Sequence, residues 1–212
     1  MAKSVSAAPV EPPPSAPGAP GTQPTLILAS GSRYRAELLR RLHLDFIGEA
    51  SEIDETPQPG EDVASLVRRL ALAKARALRD RHPDGWILGS DQAAALDKQI
   101  LGKPGNIEQA HAQLRACAGR EVRFLTAVAL VHGEQVLDAL DVTTVRFRQL
   151  CDEEIARYVE VEPALDCAGS FKCEGYGISL FDAIETTDPT ALIGLPLISV
   201  RRLLAQAGQA LP

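Results

Sequence analysis

Thr25-Leu26-Ile27-Leu28-Ala29 leads directly into Ser30-Gly31-Ser32 and from there into a helical stretch, Arg33 to Leu42. The first run is short and apolar, as a buried strand requires. A loop of small residues follows it, so the segment reads as strand, loop, helix. Upstream the character changes. Seven of the 15 prolines lie at or before position 24, and residues 1–23 show neither a helical nor a strand period. That tail is expected to be disordered, leaving 24–212 as one domain.

Downstream the same kinds of signal recur. A second strand is expected over Phe46 to Ala50, emptying into the acidic loop Asp54-Glu55-Thr56-Pro57. A long helix is expected from about Asp62 to Arg79, because Val63, Leu66, Val67, Leu70 and Ala71 repeat on one face. Lys74 continues that face where an apolar residue belongs, so it is partly buried or reaches into a site.

Trp86-Ile87-Leu88-Gly89 reads as a buried strand ending at Ser90-Asp91-Gln92, and Ala93 to Leu96 with Gln99 to Leu101 reads as a hairpin closed by Gly102-Lys103-Pro104. Asn106 can cap a helix through Ala118. Val122 to Val131 and Val136 to Phe147 form two long antiparallel strands, and a helix covers Asp152 to Val161. The glycine-rich segment Cys167 to Gly177 leads to a strand at Ile178 to Phe181. Leu197 to Ala207 makes a last helix that Gly208 can terminate. Strands and helices mix throughout, which predicts α/β with a mixed sheet.

Composition narrows the function. A net charge of −6 with no lysine- or arginine-rich block argues against a nucleic-acid polymer as partner. No apolar run approaches the roughly 18 residues that span a bilayer, and the N-terminus lacks the apolar core of a signal peptide. No membrane partner is expected, and the cytoplasm is the simplest home. The four cysteines have no CxxC spacing and no nearby histidines. They read as buried structural thiols rather than zinc ligands, disulfides or nucleophiles.

Several residues have a chemical reading beside a structural one. Ser30-Gly31-Ser32 at a helix start can offer hydroxyls and N–H groups to an anion, though capping alone accounts for Ser32. Asp91 after an apolar strand is a candidate base or metal ligand at the ligand-binding edge of an α/β sheet, or a turn-forming aspartate. Asp54 and Glu55 could hold a hard divalent cation. Lys74, Lys103 and Arg35 are cations suited to a triphosphate, with solvent-seeking extension the alternative for Lys74. Neither GxxxxGK[ST] nor GxGxxG occurs, so the P-loop and dinucleotide fingerprints are absent.

The ordered set is more specific than its members. Leu-Ala-Ser-Gly-Ser at 28–32, Asp-Glu-Thr-Pro at 54–57, Leu-Ala-Lys-Ala at 72–75 and Gly-Ser-Asp-Gln at 89–92 are followed by Gly-Lys-Pro at 102–104. Cys-Ala-Gly-Ser-Phe-Lys at 167–172 and Gly-Leu-Pro at 194–196 complete the series. This series resembles the Maf family from Leu26 to the last helix.

The resemblance implies an elongated Maf/ITPase-like α/β fold with a mixed sheet, surrounding helices and a substrate cleft between two lobes. It also implies a nucleoside triphosphate pyrophosphatase, a hydrolase that uses Mg2+ or Mn2+. By motif, Asp91 would be the proton acceptor and a metal contact, and Glu55 a metal or water ligand. Ser30, Ser32, Arg35, Lys74 and Lys103 would hold the phosphates. Tyr34, Gln92 and Glu174 resemble the specificity residues of the branch acting on 7-methyl-GTP, although that branch has tryptophan where this chain has Tyr34.

The family's first loop ends in two consecutive arginines, and here the second position is Ala36, so the number of arginine contacts is open. A dTTP/UTP-directed or broad pyrophosphatase and a non-catalytic nucleotide-binding regulator of cell division are the alternatives. A homodimer is compatible with the resemblance, since similar proteins commonly pair.

Overall fold

The computed structural model describes residues 24–97, 99–209 and 211; the segment 1–23, expected to be disordered, lies outside them. Strand β1, Leu26–Leu28, is buried at all three positions. Helix α1, Arg33–Arg40, starts at Ser32, whose side chain accepts from the Arg35 N–H. Strand β2 is Phe46–Gly48. Helix α2, Val63–Arg76, is capped by Asp62.

Strands β3, Trp86–Leu96, and β4, Gln99–Leu101, come next. Helix α3, Ile107–Cys117, is capped by Asn106. The long hairpin of β5, Glu121–His132, and β6, Gln135–Phe147, precedes helix α4, Asp152–Val161. Two short 3-10 turns, Ala168–Ser170 and Tyr176–Leu180, lead to β7, Phe181–Glu185, and helix α5, Leu197–Gln206.

The expected mixed α/β architecture is present. One seven-stranded sheet runs in the order β2-β1-β3-β5-β6-β7, with β4 paired to the end of β3. The β2-β1-β3 pairs are parallel and the others antiparallel. Among the described residues no helix is long and apolar enough to cross a membrane.

Helix α2 covers one face of the sheet, packing Val67 and Ala71 on Ala93, Ala95 and Leu125, and Ala75 and Leu78 on Ile27, Ile87 and Val131. The opposite face carries two separate cores. In one, Leu38 and Leu39 of α1 and Val200, Leu203 and Leu204 of α5 meet Leu28, Leu88 and Leu130. In the other, Leu114 of α3 and Ile155 and Tyr158 of α4 meet Phe124, Phe147 and Phe171.

Between the two cores lies a polar row set by strand register, Gln92 opposite Thr126 and Thr126 opposite Asp141. Side chains alternate along a strand, so the face that bears Leu88 and Ala94 also bears Ser90 and Gln92. Buried polar groups usually find partners; Gln92, Thr126 and Asp141 Oδ2 find theirs in the segment before α5, while Asp141 Oδ1 has none among the described residues.

Two expectations are corrected. The strand expected to end at Ser90-Asp91-Gln92 continues to Leu96, because β5 pairs with it without interruption from Ile87 to Ala95. Asp91 therefore lies within a strand. The strand expected at Ile178–Phe181 is a 3-10 turn, and the strand begins at Phe181. Ile178 is exposed, with no core behind it. The Gly177 N–H donates to Glu162, and a methyl group on Gly177 would meet the Lys172 backbone. Phe181 is the first residue of this run with a strand to join, opposite Phe147 of β6.

Candidate active site

Strand β3 has different neighbours along one edge. Trp86–Leu88 pair with β1 and Ala94–Leu96 with β4, so the residues between them face a gap where the parallel strand ends. Ligands of α/β sheets collect at such places. A cavity of about 770 Å3 opens there. Because the sheet edge is interrupted, the cavity receives side chains from both faces.

On the α2 side, Lys74 and Asp91 form a buried pair, 6% and 7% exposed. Lys74 Nζ lies 2.6 Å from Asp91 Oδ1 and 2.7 Å from Glu55 Oε1. The apolar helical face of α2 thus carries its one anomalous lysine into the pocket. Gly89 makes this possible: a methyl group there would overlap the Ala71 carbonyl and stand 3.1 Å from the Ala75 side chain. Without that close approach, α2 could not bring Lys74 down to the strand.

Charge is unevenly tuned. Burial raises the Asp91 carboxyl above its ordinary value, outweighing the nearby Lys74 and Arg35 charges. For Glu55 burial acts the same way, but the hydrogen bond from Lys74 and the charges of Lys74, Lys103 and Arg35 hold it below its ordinary value. Burial lowers the Arg35 guanidinium, opposed by Asp91 and Glu55. A carboxyl tuned upward inside a cluster of cations is a better proton acceptor than an ordinary surface carboxylate.

Opposite this pair stands the loop before α1. Ser30 Oγ accepts from the Ser32 N–H at 3.2 Å and from Arg35 Nη1 at 3.3 Å. Arg35 Nε donates to the Gly194 carbonyl at 2.9 Å, and Ser90 Oγ donates to the same oxygen at 3.1 Å. Lys103, beyond β4, is exposed at the rim. Ser30, Ser32, Tyr34, Arg35, Glu55, Lys74, Asp91, Gln92, Lys103 and Glu174 all line this one cavity. Asp54 does not; its carboxylate accepts the Thr56 N–H within its own turn.

Around Tyr34 positive charge gathers. The Arg33 guanidinium stands 4.8 Å from the ring centre and donates to the hydroxyl at 2.8 Å, while the Lys172 ammonium is 6.0 Å from the ring. Glu174 lies on the same rim, with the Cys173 thiol 3.5 Å from Oε2. Ala36 packs against the α1/α5 core, so the departure from the double arginine falls outside the cavity. Arg33 and Lys172 add positive charge to the lining.

Sequence reasoning gave Lys172 no role, although its setting of Gly169, Ser170 and Gly175 marked a loop close to a ligand. It also passed over Thr126, whose signal was a polar residue on the inward face of an otherwise apolar strand. The cysteine expectation is corrected in part: Cys117 is buried, Cys151 is exposed, and Cys167 and Cys173 line the cavity. Burial pushes both pocket thiols up to about 12, which leaves them protonated and unreactive near neutral pH. All four cysteines are free.

Among the described residues no three histidine, cysteine, aspartate or glutamate side chains group as a metal site. A preformed zinc cage is therefore not what Asp91 and Glu55 build. Two carboxylates lining one cavity are the donor type that a hard divalent cation takes together with waters and phosphate oxygens.

Comparison with known proteins finds relatives along most of the chain. The 7-methyl-GTP pyrophosphatase of Xanthomonas campestris pv. campestris (strain 8004) is 60% identical over 190 residues, covering 89% of this chain and 99% of its own. The 7-methyl-GTP pyrophosphatase of Bordetella pertussis is 49% identical over 189 residues, covering 89% and 95%. A HAM1 protein from Coxiella burnetii shares the fold, with a TM-score of 0.55 at 17% identity over 88% of this chain and all of that one. The family described as Maf-like protein matches residues 25–207, and the chain belongs to that family.

Proposed function

We propose that the protein hydrolyses a nucleoside triphosphate, 7-methyl-GTP above others, to the monophosphate and pyrophosphate. The observation that carries the reading is the buried Asp91 carboxyl, raised by burial and held by Lys74 inside a cavity lined by cations. A protein that only binds phosphates has no use for a buried carboxylate among the cations that hold them. The names of the relatives point the same way.

In this mechanism Asp91 takes a proton from water as the water oxygen attacks the α-phosphorus. The bond from that phosphorus to the oxygen bridging the α- and β-phosphates breaks, and pyrophosphate leaves with the bonding electron pair. Lys74, Arg35, Lys103 and the hydroxyls of Ser30 and Ser32 hold the phosphates, offsetting about four negative charges. Asp91 and Glu55 are the residues that would hold a divalent cation. Held there, such a cation would supply charge neutralisation and Lewis-acid polarisation of phosphoryl oxygens.

At the base, Glu174 accepts from the N1–H and exocyclic amine of guanine, a charge-assisted pairing that uracil and thymine lack. Methylation at N7 makes guanine cationic, and the Tyr34 ring, which already draws Arg33 and Lys172, suits a cationic ring by about 1 kcal/mol. The four free thiols are in keeping with a reducing cytoplasm.

The test is incubation of purified protein with Mg2+ or Mn2+ and a panel of triphosphates, with products separated by chromatography. Monophosphate plus pyrophosphate, fastest from 7-methyl-GTP, is expected. Diphosphate plus inorganic phosphate, or equal rates on dTTP and 7-methyl-GTP, would overturn the reading.

A further inference from the structure

Gln92 is held by its amide nitrogen. Nε2 stands 2.9 Å from Thr126 Oγ1, 2.8 Å from the Ala191 carbonyl and 3.1 Å from the Leu192 carbonyl. Two of these partners are backbone oxygens that can only accept, so the NH2 end must face them. The Gln92 side chain also lines the cavity, and the end left for the cavity is Oε1. An amide free to turn offers a ligand either a donor or an acceptor; this one offers an acceptor only.

What holds the two carbonyls still lies further on. Asp188 is 2% exposed. Its Oδ1 accepts from the Thr190 N–H at 2.9 Å and the Thr190 hydroxyl at 2.6 Å, and its Oδ2 accepts from the Ile198 N–H at 2.7 Å. Thr190 Oγ1 accepts from the Leu197 N–H at 2.9 Å. Helix α5 begins after Pro196, which supplies no capping side chain, so these two residues satisfy its first N–H groups from outside. The chain from Thr190 to Leu197 is thereby tied at both ends, and the carbonyls of Ala191 and Leu192 project from it onto Gln92.

We propose that Asp188 is a positioning residue for base choice: it fixes the loop that fixes the Gln92 amide, so the cavity accepts only bases with a donor on the facing edge. The inference deepens the nucleotide reading above and rests on it. Guanine carries two adjacent donors, N1–H and the exocyclic amine, which suit Gln92 Oε1 and Glu174 together. Adenine places the bare N1 there, and an acceptor against two acceptors leaves the Gln92 and Glu174 oxygens without a donor from the base. That mismatch corresponds to roughly tenfold or more in affinity.

The experiment measures binding of GTP and ATP by calorimetry without divalent metal, in wild-type protein and in Asp188→Asn and Thr190→Val, beside pyrophosphate release with metal. Asn at 188 loses one acceptor, so either Ile198 or Thr190 gives up a bond and the loop loosens. We expect wild-type protein to bind GTP about tenfold or more tighter than ATP, and Asp188→Asn to bring the two within about threefold. Thr190→Val should shift the ratio the same way by less.

A merely structural role would weaken both nucleotides in proportion. An unchanged ratio in the variants, or near-equal affinities in the wild type, overturns the proposal. Should Asp188→Asn not fold, Thr190→Val decides, since it keeps side-chain shape. Selective binding without pyrophosphate release would overturn the pyrophosphatase reading and leave this inference standing.

Discussion

Asp91→Asn separates catalysis from folding more cleanly than any other substitution in the cavity. Asn keeps the shape of the side chain, and its Oδ1 still accepts from Lys74 Nζ, which stands 2.6 Å away. Lys74 also keeps Glu55 at 2.7 Å, so no buried ammonium is left alone, the situation that makes breaking a buried pair costly. Burial had already raised the Asp91 carboxyl, which means ionising it in the folded state works against stability. Removing that charge while retaining the hydrogen bond should change stability by no more than about 1 kcal/mol.

The sign follows from linkage. Because the folded value of Asp91 is raised, its contribution is fully present below the unfolded carboxylate value, about 3.9, and is lost as pH rises through the folded value. Relative to wild type, the variant should therefore gain stability as pH climbs from about 4 towards neutrality. Catalysis should fall steeply, since a positioned base contributes roughly 10^2- to 10^4-fold. Urea unfolding across that pH range and pyrophosphate release at saturating metal measure the two effects. A variant that kept more than a few per cent of wild-type kcat, or lost several kcal/mol at neutral pH, would refute the reasoning.

Lys74→Met should be worse on both counts, because it leaves Asp91 buried without its nearest cation: about 3–5 kcal/mol at neutral pH and less at low pH, where Asp91 is protonated, by urea unfolding. Gly89→Ala should lower the free energy of unfolding by about 1–3 kcal/mol, by urea unfolding, and raise KM, because the added methyl pushes α2 and Lys74 off the strand. Glu174→Ala should erase most of the preference for 7-methyl-GTP over dTTP in kcat/KM, while Tyr34→Trp should preserve or increase it. Lys172→Met should increase the preference for 7-methyl-GTP over GTP, because the Lys172 ammonium, 6.0 Å from the Tyr34 ring, competes with a cationic base for that face.

Much of the protein could be read from local pattern. The strand, loop and helix from Leu26 to Arg40, the long helix starting near Asp62, the Asn106 cap, helix α4 and the β5–β6 hairpin all follow from interactions between residues close in sequence, where period and capping act. The interruption of the apolar face by Lys74 was equally visible, as was the ordered series of motifs that resembles the Maf family.

Partnerships across the sheet were decided elsewhere. Asp91 became a mid-strand residue because β5 runs alongside β3 past it, and nothing between Trp86 and Gln92 encodes that neighbour. Phe181, not Ile178, starts a strand because β6 is there to pair with it. The hold on Arg35 spans 159 residues and that on Gln92 spans 99; both end on backbone carbonyls, which every residue possesses and no side-chain pattern announces. Sequence determined which chemical groups the protein has and the local elements that carry them, while the tertiary structure decided which end of each group faces the cavity, since that depends on acceptors the chain brings back from far away.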